Sequence, residues 1–543
     1  MEKPETGGIN NMNTKKHFSE RLSELTLEEK VGQLFLVALD GPTLTNEYKK
    51  HFQRHKLGNF IFFKHNLTDY KSIRQLSDSL QSTVKESVGI PAFISVDQEG
   101  GMVTRVYSGA THFPSNMAVA ASGMFDSIDR MGEMVATELR ALGINLNHAP
   151  SVDVNNNADN PVIGIRSYSD DPQAVAKMGM SYIQGLQRGG VMANAKHFPG
   201  HGDTNMDSHL DLPAVNHEME RLNSIELVPF KAVISNANGV DSIMTAHIIF
   251  KAIDNALPAT LSHKILTEFL RKELGFEGLV ITDCMTMNAI KTYYTTEKGC
   301  IMALKAGADI LCLNATPEIQ ANCYNAVLEA VKSEEIPIDE IDAKVQRILD
   351  HKKKYSLCCT PDQPIEKYPE HEALSDEISA KSITLVKGND TLLPLTGKKV
   401  FIISPRPSGT IVDDVIEQES FCKKAATEFG GDCKFTEISI DPDENEINAV
   451  LSKAEGFDIV LYATYNAVLN PGQVHLFDAL KAAGKQIVTV SLRVPYDIWK
   501  LEGADCYIAA YEYTDRAVDN AIKAIVGKLD FVGKLPISNP VNK

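Results

Sequence analysis

Short apolar runs alternate along this chain with longer stretches whose apolar residues recur every three to four positions. The runs are Leu34–Leu39, Phe60–Phe63, Ala92–Val96, Ile144–His148, Val191–Ala195, Ser242–Thr245, Leu279–Thr282 and Asp309–Leu313. Between them lie Tyr70–Glu86, Ser127–Leu142, Pro172–Arg188, Glu218–Ser235, Ser262–Leu274 and Pro317–Lys332. Continuous apolar runs suit strands buried on both faces, and the longer periodic stretches suit amphipathic helices. Thr26-Leu27-Glu28-Glu29 adds a capping box that opens a short helix before the first run. Strand–helix alternation implies a parallel sheet, and eight units in about 350 residues imply a closed (β/α)8 TIM-like barrel.

A second alternating set follows. Its strand candidates are Val400–Ser404, Phe435–Ile440, Ile459–Tyr462, Ile487–Ser491 and Cys506–Ala510, with helices near Ala373–Ile383, Glu444–Glu455, Val474–Ala483 and Asp515–Val526. This predicts a smaller α/β sandwich. The expected division is a flexible tail over 1–14, a catalytic barrel over 15–354, a linker over 355–372 and the sandwich over 373–543. The linker is rich in Cys, Pro and charge and lacks apolar periodicity. The sandwich carries no Gly-rich phosphate loop, and its expected role is to cover one side of the barrel.

Composition narrows the class. With 43% hydrophobic and 23% charged residues, the chain of 543 residues reads as a folded, soluble, multidomain protein. No apolar run approaches the ~18 residues that span a bilayer, and the polar N-terminus has no signal-peptide core. A cytoplasmic location is expected; a trimmed secreted form would look the same. The net charge of −17 argues against a nucleic-acid partner. Nine cysteines without metal-ligand spacing suit reduced, mostly structural thiols.

Candidate chemistry gathers where apolar runs end. Asp97, Asp153, Asn155, Lys196, His197, His247 and Asp283 each lie just past a run. In a strand–helix barrel those positions converge on one rim. The richest segment is Lys196–Pro213, KHFPGHGDTNMDSHLDLP. Its glycines and prolines exclude regular structure, and Asp207-Ser208-His209 offers a carboxylate two residues from an imidazole. That pairing suits general acid/base work. A metal site built from His197, His201, His209, Asp203 and Asp207 ranks lower, because no HExxH or HxH pattern is present. Asp283 reads either as a helix N-cap or as a carboxylate aimed into the barrel mouth. Arg166 reads equally as a fork for sugar hydroxyls or as the partner of a nearby carboxylate.

The motif KHFPGHG…DSH over Lys196–His209 resembles glycoside hydrolase family three, in its β-N-acetylglucosaminidase branch. Asp97-Gln98-Glu99-Gly100-Gly101, the Asn160–Ser167 segment, Ile281-Thr282-Asp283-Cys284-Met285 and Ser491–Asp497 also match. The resemblance runs from about Leu25 to the end. It implies a retaining mechanism with Asp283 as nucleophile, His209 as acid/base and Asp207 as the partner that orients the imidazole. It assigns Asp97, Arg166, Lys196 and His197 to the terminal sugar. No cofactor or metal is implied. The partner is a small carbohydrate, and the oligomeric state is open. One departure stands out: the family usually has a sugar-binding arginine where this chain has Met102, and Arg105 is the candidate substitute.

The expected activity is exo-cleavage of terminal β-linked GlcNAc from muropeptides or chitooligosaccharides. Three alternatives stand beside it. A neutral imidazole repels an anionic acceptor less than a second carboxylate does, so phosphate in place of water would make the protein a phosphorylase. A β-glucosidase or β-xylosidase is less favoured, given the DSH motif. A sugar-binding protein without turnover is the non-enzymatic alternative.

Overall fold

The computed structural model describes residues 21–204, 207, 211–235, 238–355, 368–388, 391–407, 418–429 and 433–538. Eight parallel strands form the first sheet. They are β1 (Phe35–Val37), β2 (Asn59–Phe62), β3 (Phe93–Val96), β4 (Leu146–Asn147), β5 (Met192–Phe198), β6 (Ser242–Thr245), β7 (Leu279–Thr282) and β8 (Leu311–Leu313). They run in order from β7 back to β1, and β1 then pairs with β8. An Ile281–Ile310 bridge, with the Thr282 amide donating to the Ile310 carbonyl at 2.9 Å, closes the sheet on itself. The barrel therefore holds all eight expected strands in register with their apolar runs.

The helices follow the periodicity. Tyr70–Ser87, Ile128–Ala141, Pro172–Arg188 and Pro317–Lys332 lie on the sheet through buried stripes such as Ile73, Leu76, Leu80 and Val84. The capping box at Thr26 is present, with the Glu29 amide donating to Thr26 Oγ1. One expected helix is two. Glu218–Ser235 divides into Met219–Ser224 and Leu227–Ser235. Buried Glu226 turns inward at the break, where its Oε1 accepts from Asn156 Nδ2 at 3.0 Å. Pro229 sits in the first turn of the restarted helix, where its missing N–H leaves no bond unmade.

The second sheet has six strands: β9 (Thr384–Lys387), β10 (Val400–Pro405), β11 (Cys433–Ile438), β12 (Ile459–Thr464), β13 (Gln486–Ser491) and β14 (Cys506–Ala509). Their order is β9-β14-β13-β12-β10-β11, with β9 antiparallel at one edge and the rest parallel. β9 has no counterpart in the sequence reading, because its short run ends in Val386-Lys387 and is only partly buried. The helix before it, Pro369–Ser382, places Leu374 and Ile378 in the barrel core. The expected tail lies outside the described residues, as do linker positions 356–367.

The two domains share an apolar core. Met102, Met117, Ala118, Ala121 and Ile165 of the barrel pack with Val494, Tyr496, Ala510 and Tyr511 of the sandwich. Polar ties reinforce it: the Ser115 amide donates to Glu512 Oε2 at 2.7 Å, and Tyr496 OH donates to the Asn155 carbonyl at 2.9 Å. The sandwich thus grips the loops that follow β3 and β4. Among the described residues no helix is long and apolar enough to cross a membrane.

Candidate active site

A cavity of about 450 Å³ opens at the C-terminal ends of the barrel strands. Asp97, Glu99 and Arg105 reach it from the segment after β3, and Arg166 from a short helical turn, Gly164–Arg166, after β4. Lys196 and His197 come from the end of β5, Asp283 and Cys284 from just past β7, and Asn314 from just past β8. Lys64, His65 and Lys291 also line it, and all three are exposed.

Two acids and two bases form one buried network. Lys196 Nζ donates to Asp97 Oδ1 at 2.7 Å and lies 2.6 Å from Glu99 Oε1. Arg166 grips Glu99 with a fork, Nε to Oε2 at 2.9 Å and Nη2 to Oε1 at 2.7 Å. Burial alone would raise the Glu99 carboxyl, but Arg166 and Lys196 hold it down at about 2. Asp97 is likewise held well below the carboxylate range, burial being outweighed by Lys196, His148 and Arg105. Both acids are therefore ionised, and both bases are charged. A lysine has three N–H groups and an arginine five. Asp97 and Glu99 take two from Lys196, leaving one. Arg166 uses its others on Glu99, the Val162 carbonyl and His197, also leaving one. A ligand with hydroxyls as both donors and acceptors fits a wall of fixed carboxylate oxygens interleaved with such donors.

Asp153 supports this wall from behind. Its Oδ2 lies 2.7 Å from His197 Nδ1, and its Oδ1 accepts the amides of His197 at 3.1 Å and His201 at 2.6 Å. Burial would raise Asp153, yet the two histidines hold it well below the carboxylate range. An ionised Asp153 fixes a proton on His197 Nδ1, so Nε2 faces Arg166 Nη2 at 3.4 Å. His201, pushed down to about 4 by burial and by His197, is neutral at physiological pH. Only glycine fits at position 202, where an added Cβ would meet the Val154 carbonyl oxygen at 1.7 Å.

Asp283 stands on the opposite wall. Its Oδ1 accepts the Cys284 amide at 2.7 Å, and the next helix begins only at Asn288 with Met287 as its N-cap. The helix-cap reading of Asp283 is therefore incorrect, because a loop of four residues separates it from the helix. His247 Nε2 donates to the Cys284 carbonyl at 3.1 Å and so anchors the residue that follows the acid.

Of the sequence candidates, Asp97, Arg166, Lys196, His197 and Asp283 meet in the cavity. Asp153, Asn155 and His247 lie behind it and hold backbone in place. Asp207 is not among the lining residues; its carbonyl accepts the Asp211 amide at 3.1 Å. His209 lies outside the described residues. Asp203 turns away to His217 and Arg221, and among the described residues no group of three or more His, Cys, Asp or Glu is arranged to hold a metal. The carboxylate-partner reading of Arg166 is the one seen, in its pairing with Glu99, and the side chain also lines the cavity. Met102 is buried in the interdomain core rather than beside the cavity, whereas Arg105 lines it. Glu99 is the residue that sequence reasoning passed over. The signal was present: in extended chain, positions two apart point to one side, so Glu99 follows Asp97.

Comparison with known proteins fixes the family. The model for the N-terminal domain of glycosyl hydrolase family 3 matches residues 26–351, which contain the whole barrel. The chain belongs to glycosyl hydrolase family 3. Among curated family relatives it is similar to beta-hexosaminidase A of Pseudoalteromonas piscicida, 35% identical over 395 residues, 67% of this chain and 65% of that one. The chain thus spans just under two thirds of that relative's length. It is also similar to a protein named beta-N-acetylglucosaminidase/beta-glucosidase from Cellulomonas fimi, 27% identical over 95% of this chain and 94% of that one. Among solved structures it resembles a family 3 beta-N-acetylglucosaminidase from Paenibacillus sp. str. FPU-7. That likeness has a TM-score of 0.88 and 38% identity, covering 95% of this chain and 99% of the other. Both sheets of this family 3 chain therefore have a counterpart in one solved relative.

Proposed function

We propose that the protein is a retaining exo-β-N-acetylglucosaminidase that removes terminal β-linked GlcNAc from muropeptides or chitooligosaccharides. The observation that carries this reading is Asp283, an acid facing a pocket whose other wall is the Asp97–Lys196–Glu99–Arg166 network. That wall suits the hydroxyls of one terminal sugar, and the opposed acid suits attack on its anomeric carbon. The names borne by the relatives from P. piscicida and Paenibacillus support the N-acetyl-sugar substrate.

In the first step a carboxylate oxygen of Asp283 bonds to the anomeric carbon as the glycosidic C–O bond breaks. The leaving oxygen takes its proton from His209, whose imidazole Asp207 orients. In the second step His209 takes a proton from water, the water oxygen bonds to the anomeric carbon, and Asp283 is released. Two inversions give net retention. The cationic side chains near the mouth, Lys64, Arg105 and Lys291, suit an aglycone that carries a carboxylate, which favours muropeptides over neutral chitooligosaccharides.

The test is product analysis on a muropeptide and on chitobiose, each with and without inorganic phosphate. Free GlcNAc from either is expected; sugar 1-phosphate would instead make the protein a phosphorylase. A second reading, β-glucosidase, is favoured by the double name of the C. fimi relative. Faster release from a chromogenic glucoside than from the N-acetylglucosaminide would establish it.

A further inference from the structure

Among the described residues, two pairs of cysteines touch. Cys300 on helix Thr296–Ala306 meets Cys323 on helix Pro317–Lys332 inside the apolar core, both without exposed surface. Cys284 and Cys312 meet at the other extreme, in the lining of the sugar cavity itself. They come from the ends of adjacent strands, β7 and β8, and the Met285 amide donates to the Cys312 carbonyl at 2.9 Å, which holds the two backbones side by side.

The two sulfurs are not equivalent. Cys284 Sγ faces the Cys312 thiol, lies 3.0 Å from Thr286 Oγ1 and accepts the Asn314 amide at 3.4 Å. These contacts, Cys312 first, bring the Cys284 thiol down to about 7, so much of it is thiolate at neutral pH. The contact with Cys284, together with burial, pushes Cys312 well up and keeps it a neutral thiol. A half-exposed thiolate beside a protonated thiol is the arrangement in which oxidation of the first sulfur is resolved by the second.

We propose that Cys284 and Cys312 form a modification site for hydroperoxides, in which oxidation of the pair to a disulfide arrests turnover. The Cys284 thiolate attacks one oxygen of the peroxide. The O–O bond breaks, and the other oxygen leaves with the electron pair and picks up a proton. The sulfenic acid so formed is attacked by Cys312; the S–O bond breaks and water departs with the Cys312 proton. Two thiols are oxidised and one peroxide is reduced. Closing the bond draws Cys284 towards β8. Its amide is the donor to Asp283 Oδ1 and its carbonyl is the acceptor of His247, so the movement displaces the acid on which turnover depends. Cys300 and Cys323, sealed from solvent, remain reduced.

The experiment treats the whole protein with hydrogen peroxide, then with dithiothreitol, and follows glycoside hydrolysis together with peptide mapping. The expected result is a loss of about tenfold or more in rate, a Cys284–Cys312 cross-linked peptide, and recovery on reduction. Cys312→Ser, which cannot close the bond, is expected to accumulate a sulfenic acid that dimedone traps while keeping most of its own starting rate. Cys284→Ser is expected to keep its own starting rate through the treatment. An intact cross-link with an undiminished rate overturns the proposal, as does inactivation with both thiols still free or with only Cys300 and Cys323 joined. Mapping on the wild-type protein needs neither variant to fold, and it reads out independently of which sugar is cleaved.

Discussion

Two buried charge clusters occupy opposite ends of one barrel, and only one of them lines the candidate active site. At the mouth, Asp97 and Glu99 face Lys196 and Arg166. At the floor, Asp309 accepts from Arg271 Nη2 at 2.5 Å, from Arg347 Nε and Nη2 at 2.9 and 2.7 Å, and from the Val280 amide at 2.8 Å. Each cluster holds its carboxylates below their ordinary range by adjacent cations, against the opposing effect of burial. The floor even has the larger hollow, about 930 Å³ beside Asp241, against about 450 Å³ at the mouth. Asp241, however, is already bound by Lys354 and the Tyr355 hydroxyl. Asp309 likewise spends its oxygens on tying Arg271 of helix Lys264–Glu273 and Arg347 of helix Ile338–Lys354 to the start of β7 and β8. At the mouth the network stops one donor short on each cation and faces a cavity with a further acid across it. Perturbed titration and buried ion pairs therefore do not separate a site from a staple; unspent hydrogen-bonding capacity beside an open space does.

The sharpest break between the two ends is Asp283→Ala. Turnover is expected to fall by about 10⁴-fold or more, roughly 5 kcal/mol of transition-state stabilisation, with the urea midpoint unchanged. A near-normal rate would remove the nucleophile assignment. Asp309→Ala is the converse: it strands two arginines, should cost about 3 kcal/mol in chemical denaturation, and should leave the rate per folded molecule intact. A drop in rate with no loss of stability would erase the distinction drawn between floor and mouth.

Glu99→Gln sharpens the comparison through pH. The folded pKa of Glu99, about 2, lies below its ordinary 4.5, so the unfolded chain binds the extra proton first. Its contribution to stability is complete above pH 4.5 and is lost as pH falls towards 2. Urea midpoints at pH 6 and pH 3 should differ less in the variant than in the wild type. The same change should raise KM by about tenfold to a hundredfold, because Arg166 and Lys196 lose their anchor. Smallest is Tyr496→Phe, which removes the donor to the Asn155 carbonyl. It should cost about 1 kcal/mol and raise KM slightly with kcat preserved, if the sandwich acts only by bracing the Arg166 loop. Calorimetry and steady-state rates check it.

The barrel was legible because each strand is a continuous apolar run and each helix a periodic one, so local pattern and tertiary burial agree. β9 was not, since an antiparallel edge strand buried on one side leaves only a weak run. The break at Glu226 was hidden for a related reason: a polar residue within an amphipathic stretch reads as surface until the fold places Asn156 opposite it. Within the site, Asp97, Lys196, His197 and Asp283 were legible as polar residues closing apolar runs, and Arg166 as a cation in a Gly/Pro loop. Met102 was legible only as a departure from the motif, because a motif position carries no direction. The turn at Gly100-Gly101, both with positive φ, sends residue 102 into the interdomain core and leaves Arg105 to line the cavity.

The linear order of residues by itself determined the eightfold alternation and the rim on which polar residues gather, since both follow from local periodicity and from where it stops. Only the tertiary structure decided which charges neutralise one another, that Glu99 joins Asp97 around Lys196, and that Cys284 and Cys312 share a wall. Those facts depend on distances between strands that are remote in the chain, and burial and Coulomb energy are set by such distances rather than by sequence separation.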